Sequence, residues 1–291
     1  MNTSFRPVHW VAVATRVAVE KLKVPGMLLR RRRVASAARR QRSFIVRMKG
    51  PDCPMSIHPE TFLAQAYVQG LYEPGVVRYL KRTLRPGMCC IDAGANVGFF
   101  TLLMAGRVGG EGKVIAFEPT RKTHAVLLEN LELNSSRNVV PECLALSDHE
   151  GEISFHEGPP GFDVYNSAGT VSHPSAAGKE FVAVVVPCTT IDGYLGRKGI
   201  AGVDVVKVDV EGSELSVLKG MEGTVNANPR MKIIVELADT TTRGFGYGAR
   251  EIYDWFVRHG WQLGLIDARG NLAPAPARDA WNGEMVVAFR Q

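Results

Sequence analysis

Two acids and two glycines carry the first chemistry in this chain. The run Ile91-Asp92-Ala93-Gly94-Ala95-Asn96-Val97-Gly98-Phe99-Phe100-Thr101 ends an apolar stretch in an acid and a glycine loop. The run Val114-Ile115-Ala116-Phe117-Glu118-Pro119 ends a second apolar stretch in another acid. An acid and glycines at the carboxyl ends of adjacent strands are the plan of a nucleotide-type cofactor pocket. Glycine lets the backbone approach a ligand and adopt positive φ. A carboxylate placed like Glu118 can accept both hydroxyls of a ribose. The charge of the loop narrows the choice. Asp92 precedes the glycines, and no Lys or Arg lies between Met88 and Gly106. A pyrophosphate would be repelled there, whereas an ammonium and a sulfonium would be attracted. S-adenosylmethionine (SAM) carries both.

The competing ligand is a dinucleotide, whose loop reads G-x-G-x-x-G. Here the spacing is G-x-x-x-G with Asn96 between, so SAM is preferred, although Glu118 lies twenty residues past Gly98 as it would in a dehydrogenase. A second cluster, Lys207-Val208-Asp209-Val210-Glu211, alternates charge along a strand end, which puts Lys207, Asp209 and Glu211 on one face. A lysine between apolar residues is costly to bury unless it is paired, and the two acids are its nearest partners. Asp209 is the first candidate for a general base at the reacting centre, then Glu211, then His173. Asp209, Glu236 and Asp239 form a conceivable oxygen set for Mg²⁺, but no required metal is expected.

These positions need a scaffold. Strands are expected over 88–92, 113–118, 139–144, 203–209, 232–237, 262–266 and 284–289, with helices over 97–108, 122–133, 214–221 and 250–259. Two further helical stretches fall within 61–86, with Phe62 and Ala66 on the buried side, Pro74 starting the second and Pro86-Gly87 ending it. Alternating strands and helices imply an α/β fold with a doubly wound, mostly parallel sheet of seven strands. The last two runs have no helix between them, so the final strand is antiparallel. The alternation pauses at 151–186, a β-rich insert with β-like runs at 152–156 and 181–186 around a Gly/Pro/Ser-rich stretch. Ala273-Pro274-Ala275-Pro276-Ala277 reads as a stiff loop.

The net charge of +6 over 291 residues is unevenly placed. Residues 1–49 hold thirteen Lys or Arg against Glu20 alone, which leaves residues 50–291 at −6. The chain therefore divides into a basic N-terminal extension, 1–49, and an acidic folded domain, 50–291. An acidic domain argues against a nucleic-acid partner. The Arg30–Arg33 cluster suits peripheral contact with an anionic membrane. The five cysteines include no C-x-x-C pair, and Cys89 and Cys90 within an apolar strand read as buried thiols in a reducing compartment. No apolar run reaches the length of a membrane span, and the positive cluster follows the apolar part of the N-terminal segment, unlike a signal peptide. A cytoplasmic location is expected.

The segments Tyr72-Glu73-Pro74, Asp92–Gly98, Phe117-Glu118-Pro119, Asn130-Leu131-Glu132-Leu133-Asn134, Ala145-Leu146-Ser147-Asp148, Thr190-Ile191-Asp192 and Lys207–Gly212 together resemble the FkbM family of SAM-dependent methyltransferases. The resemblance covers roughly residues 65–240. It implies a class I methyltransferase fold and methyl transfer to a hydroxyl on a sugar, glycolipid or secondary metabolite, so the expected partner is a small-molecule or glycan acceptor. Carried over by position, Gly94, Ala95, Asn96 and Gly98 would line the methionine portion of SAM. Glu118 would hold the ribose, Ser147 and Asp148 would meet the adenine, and Glu73 would close the pocket from the N-terminal helices. The family's fifth strand often ends in Glu-His, but here it reads Val235-Glu236-Leu237, so no role is assigned to that histidine. The alternative is a catalytically inactive member that binds SAM as a partner in a biosynthetic assembly, against which the intact Asp92, Glu118 and Asp209 argue.

Overall fold

The computed structural model describes residues 43–57, 64–171 and 173–290. In chain order the elements are β1 (Phe44–Arg47), β2 (Pro54–Ile57), α1 (Ala64–Gln69), α2 (Pro74–Thr83), β3 (Cys89–Ala93), α3 (Phe99–Val108), β4 (Lys113–Phe117) and α4 (Arg121–Leu133). Then come β5 (Val139–Glu142), β6 (Ala145–Leu146), β7 (Gly151–Glu157), β8 (Val182–Thr189), α5 (Ile191–Lys198), β9 (Val205–Val208), α6 (Glu214–Lys219) and α7 (Glu222–Ala227). The chain closes with β10 (Lys232–Ala238), α8 (Asp239–Thr242), α9 (Ala249–Arg258), β11 (Gln262–Ile266), β12 (Leu272–Pro274) and β13 (Asn282–Phe289).

The main sheet has the strand order β12-β11-β13-β10-β9-β3-β4-β5. Strands β10, β9, β3, β4 and β5 are mutually parallel, and β13 runs antiparallel to both β10 and β11. This is the expected doubly wound sheet with one strand more than seven. The extra strand, β12, takes the first part of the stretch read as a stiff loop and pairs with β11 at the sheet edge. Pro274 is tolerated there because an edge strand leaves one side without ladder bonds.

Side chains alternate between two cores. In register across the parallel strands, Ile115, Ile91, Val206 and Ile233 form one row, and all four belong to the core shared with Trp255, Phe256 and Trp281. Their neighbours Val114, Cys90, Val205 and Ile234 point the other way, into the core beneath α2, α3 and α4. Fully buried parallel strands are apolar on both faces, which makes a charged residue inside them conspicuous. Lys207 is one: it sits in β9 with only 1% of its surface exposed.

Residues 44–48, inside the stretch read as basic extension, are part of the fold. β1 and β2 form an antiparallel hairpin, and Met48, Met55 and Ile57 enter the core. The density of arginine hides the short alternation of Phe44, Val46 and Met48. Asn130, itself buried, fastens this hairpin: the Ser56 N–H donates to Asn130 Oδ1 at 2.6 Å, and Asn130 Nδ2 donates to Val97 O at 2.9 Å. One side chain thus ties the hairpin to the glycine loop. Asn134 Nδ2 adds a bond to Pro54 O at 2.8 Å. Phe62, the membrane reading of Arg30–Arg33 and most of the extension lie outside the described residues. Among the described residues no helix is long and apolar enough to cross a membrane.

The insert forms a second sheet, β6-β8-β7, in which β8 pairs with β7 antiparallel and with β6 parallel. Helices α5 and α7 are additions to the expected pattern. Thr190 caps α5 by accepting the Gly193 N–H at 2.9 Å, and Asp192 accepts the N–H groups of Gly223 and Thr224 at 2.7 Å each. Thr190-Ile191-Asp192 is therefore a capping element that docks α5 against α7.

Candidate active site

A cleft opens at the carboxyl ends of β3, β4 and β9. The glycine loop supplies one wall. Gly94 has φ +79°, Asn96 +48° and Gly98 +91°. A Cβ on Gly94 would lie 1.9 Å from Asp209 O, so only glycine lets the loop pass the end of β9. A Cβ on Gly98 would lie 2.7 Å from Leu127 Cδ1, so that glycine serves packing of α3 on α4. The N–H groups of Gly94 and Ala95 both donate to Phe117 O, at 3.0 and 2.9 Å. Of the four loop residues expected to line the cofactor, Gly94 and Asn96 border the cleft, while Ala95 and Gly98 build the turn behind it.

Glu118 stands at the tip of β4 on the cleft wall. Its Oε2 accepts the Asn96 N–H at 3.1 Å, and its Oε1 accepts the Thr120 N–H at 3.1 Å and the Thr120 hydroxyl at 2.6 Å. Burial pushes its pKa up to about 7, against these hydrogen bonds. Fixed on the loop and on Thr120, the carboxylate keeps lone pairs for a diol.

Asp92 lies behind the loop. Its Oδ2 accepts the Thr101 hydroxyl at 2.6 Å, and its buried Oδ1 has no partner among the described residues. Burial raises its pKa, with Lys207 and Thr101 opposing. Lys207 Nζ pairs with Asp209 Oδ2 at 2.7 Å and lies 4.6 Å from the centre of the Phe100 ring. Burial alone would pull the ammonium's pKa down. Asp209, Glu73 and Asp92 outweigh it and hold Lys207 charged. Glu73 caps α2 in a left-handed conformation (φ +37°), with Oε2 buried and without a partner among the described residues, and burial raises its pKa to about 7. It stands behind the cleft wall beside Lys207, not on the lining itself.

Asp209 and Glu211 both border the cleft. Glu211 has φ +52°, and the insert holds its backbone through a Ser167 hydroxyl bond to Glu211 O at 2.7 Å. Burial, then Glu236 and Asp209, raise the Glu211 carboxyl well above the usual range. Glu214, buried beneath, accepts the N–H groups of Val210 and Gly212 at 3.1 and 3.2 Å and fixes the loop after β9.

Ser147, Asp148 and His173 fall outside the cleft lining. Ser147 and Asp148 do not line the cleft, because β6 turns the chain into the second sheet at that point. The Ser147 N–H donates to Thr189 O at 3.0 Å, and Asp148 pairs outside with His149 at 2.9 Å. Phe117, Pro119, Leu144 and Leu146 form the apolar slot instead, with Ile153 and Phe155 of the insert. Both oxygens of Asp239 are engaged in the fold, accepting the N–H groups of Ala249 and Trp281 at 2.9 Å each. His173 accepts the Ser175 N–H and stacks on Tyr165, away from the cleft lining.

The sequence reading missed Tyr67 and Tyr72 from the N-terminal helices and Asp163 and Asn166 from the insert, all of which line the cleft.

The cleft fits SAM by charge and shape. No Lys or Arg among the described residues lines it. Its one buried cation nearby is already paired, orphaned carboxylate oxygens stand behind it, and an apolar slot adjoins Glu118. Ionised carboxylates favour a bound cation, so arrival of SAM draws the raised pKa values of Glu73 and Glu118 back down. Binding near pH 7 is therefore expected to release protons, and titration in buffers of different ionisation enthalpy checks this. Proton uptake, or no buffer dependence, would contradict it. Without ligand the sign runs oppositely for stability. Glu73, Glu118 and Glu214, each near pH 7 when folded against an ordinary 4.5, hold extra protons in the native state between those values. Their contribution to stability therefore falls as pH rises from about 4.5 to 7.

The chain matches the methyltransferase FkbM domain over residues 92–263, more than half its length. It is 32% identical over 162 residues to Methyltransferase 1 of Beauveria bassiana, covering 52% of this chain and 64% of that protein. It is 30% identical over 158 residues to the hexuronic acid methyltransferase AglP of Haloferax volcanii, covering 53% and 59%. It is 29% identical over 170 residues to the 31-O-demethyl-FK506 methyltransferase FkbM of Streptomyces tacrolimicus, covering 48% and 61%. The chain thus spans about three fifths of the length of these relatives. With the glycine loop, Glu118 and the Lys207–Glu211 strand end all inside the matched region, this chain belongs to the FkbM family of SAM-dependent methyltransferases.

Proposed function

We propose that this protein transfers the methyl group of SAM to a hydroxyl of a sugar, glycolipid or secondary metabolite. The observation that carries the reading is the pairing of Glu118, held on the glycine loop, with the acid-lined cleft before Asp209 and Glu211. The names of two relatives, one acting on a hexuronic acid and one on a 31-O position, support oxygen as the acceptor atom. When bound, SAM supplies an already activated methyl group.

The protein's own work is to position the acceptor, exclude water and take a proton. Asp209 has one oxygen committed to Lys207 at 2.7 Å. Glu211, on the same cleft and with its carboxyl raised well above the usual range by burial, Glu236 and Asp209, is the base this reading assigns. Ionised Glu211 would accept the hydroxyl proton as the oxygen bonds to the methyl carbon and the carbon–sulfur bond breaks, with S-adenosylhomocysteine leaving as the neutral thioether. The insert sets the opposite side through Asp163 and Asn166.

Glu211→Gln is expected to lower turnover about 10²- to 10⁴-fold and to remove the rise of rate with pH that deprotonation of Glu211 produces. An intact acid limb in that variant would pass the role to Asp209. Incubation with methyl-labelled SAM and a panel of hexoses, hexuronic acids and polyhydroxylated macrolides tests the acceptor class. Label in an alkali-stable ether is expected. Label on nitrogen, carbon or nucleic acid would contradict hydroxyl transfer.

A further inference from the structure

The aromatic residues at the acid end of the cleft carry a role beyond packing. Tyr67, Tyr72, Phe99 and Phe100 form one cluster, with ring centres 4.7 Å apart for Tyr67–Tyr72, 5.2 Å for Tyr72–Phe99 and 5.7 Å for Tyr72–Phe100. The cluster already solvates one cation, since the Lys207 ammonium rests over Phe100. Phe99 and Phe100 are buried and do not reach the cleft, whereas Tyr67 and Tyr72 line it together with Asp209 and Glu211. The opposite end of the cleft is the apolar slot of Phe117, Pro119 and Leu146, suited to a flat uncharged ring.

Rings beside carboxylates, with water largely excluded, are the environment that favours a soft, weakly hydrated cation. A sulfonium is such a cation. Resting on the reading of the cleft as a SAM site, we propose that Tyr67 and Tyr72, beside Asp209 and Glu211, form a cation cage around the donor's sulfonium. The cage then distinguishes donor from by-product by charge. S-adenosylhomocysteine is a neutral thioether at that position and gains nothing from the rings. Loss of the methyl group therefore weakens the hold at this end, which speeds exchange of spent for fresh donor. Tyr67 and Tyr72 are positioning residues in this scheme, and no bond to them forms or breaks.

The test is the ratio of two affinities, read by calorimetric titration of the full chain at pH 8 with SAM and with S-adenosylhomocysteine. For Tyr72→Leu, SAM affinity is expected to fall about 3- to 30-fold, with S-adenosylhomocysteine changed by less than about twofold. Tyr72→Phe, which keeps the ring, is expected to retain the ratio. Should the leucine variant fail to fold, 3,4,5-trifluorophenylalanine at position 72 keeps the ring's shape and drains its π density, so the ratio should fall towards that of a ringless side chain. Equal losses for both ligands in Tyr72→Leu, or a ratio untouched by fluorination, would overturn the cage. Binding of neither ligand by the unaltered protein would remove the methyl-donor reading itself, and the cage with it.

Discussion

Glu118→Ala is expected to weaken SAM binding at least about 100-fold, with the fold retained. A charge-assisted hydrogen bond contributes about 1.5–3 kcal/mol, and a bidentate diol contact makes two. The truncation also frees the Asn96 N–H and both Thr120 donors, which now converge on the carboxylate. The glycine loop would lose its tether to β4 along with the ligand contact. Glu118→Gln separates the two effects, because an amide keeps an acceptor for the loop but loses the charge. It is expected to lose about tenfold. Titration with SAM, alongside circular dichroism to check the fold, measures both. Near-normal affinity in the alanine variant would break the assignment of this acid to the ribose.

Lys207→Met is expected to cost about 3–5 kcal/mol of stability, the range for removing one partner of a buried ion pair. The lysine is enclosed, paired with Asp209 and flanked by Asp92 and Glu73. Without it three acids face one another with no cation. The cost should grow between pH 5 and pH 8, because at the lower pH the acids escape part of the penalty by holding protons. The double variant Lys207→Met with Asp209→Asn removes charge from both sides and should recover part of the loss. Urea denaturation at the two pH values reads this directly. A cost below about 1 kcal/mol at pH 8 would mean that the ammonium does not hold this network together.

The parts of the site legible in the sequence are those where one residue type has few reasons to occur. Asp92 and Glu118 end apolar strands, Gly94 must pass close to β9, and Lys207 is a charge in an otherwise apolar strand. Each is costly without a partner, so each points to one. The parts that were not legible depend on where the chain goes next. The family resemblance alone places Ser147 and Asp148 at the adenine, and pairing of β6 with β8 carries them off the cleft lining. Tyr67 and Tyr72 carry no sequence signal of a ligand role, because their nearness to Asp209 is set by how α1 and α2 pack, with Tyr72 and Asp209 137 positions apart. Asp163 and Asn166 sit in a Gly/Pro-rich insert whose path no periodicity describes.

The fold divides the same way. Long strands and helices of the parallel sheet were expected nearly to their ends, since burial on both faces imposes an unmistakable apolar run. The β1–β2 hairpin escaped because five basic residues of the arginine-rich stretch mask two short alternating strands, Arg39, Arg40, Arg42, Arg47 and Lys49 lying around them. Helices α5 and α7 escaped because eight and six residues give too few turns for a helical period to stand out, and the bonds from the Gly223 and Thr224 N–H groups to Asp192 that fix α7 are tertiary.

The most direct measurement is calorimetric titration of the purified full chain with SAM, S-adenosylhomocysteine and NAD in parallel. Micromolar binding of the first two, with none of NAD, is expected from an acid-lined cleft that holds no free cation for a pyrophosphate. Binding of NAD, or of none of the three, would contradict the assignment of this cleft to a sulfonium donor.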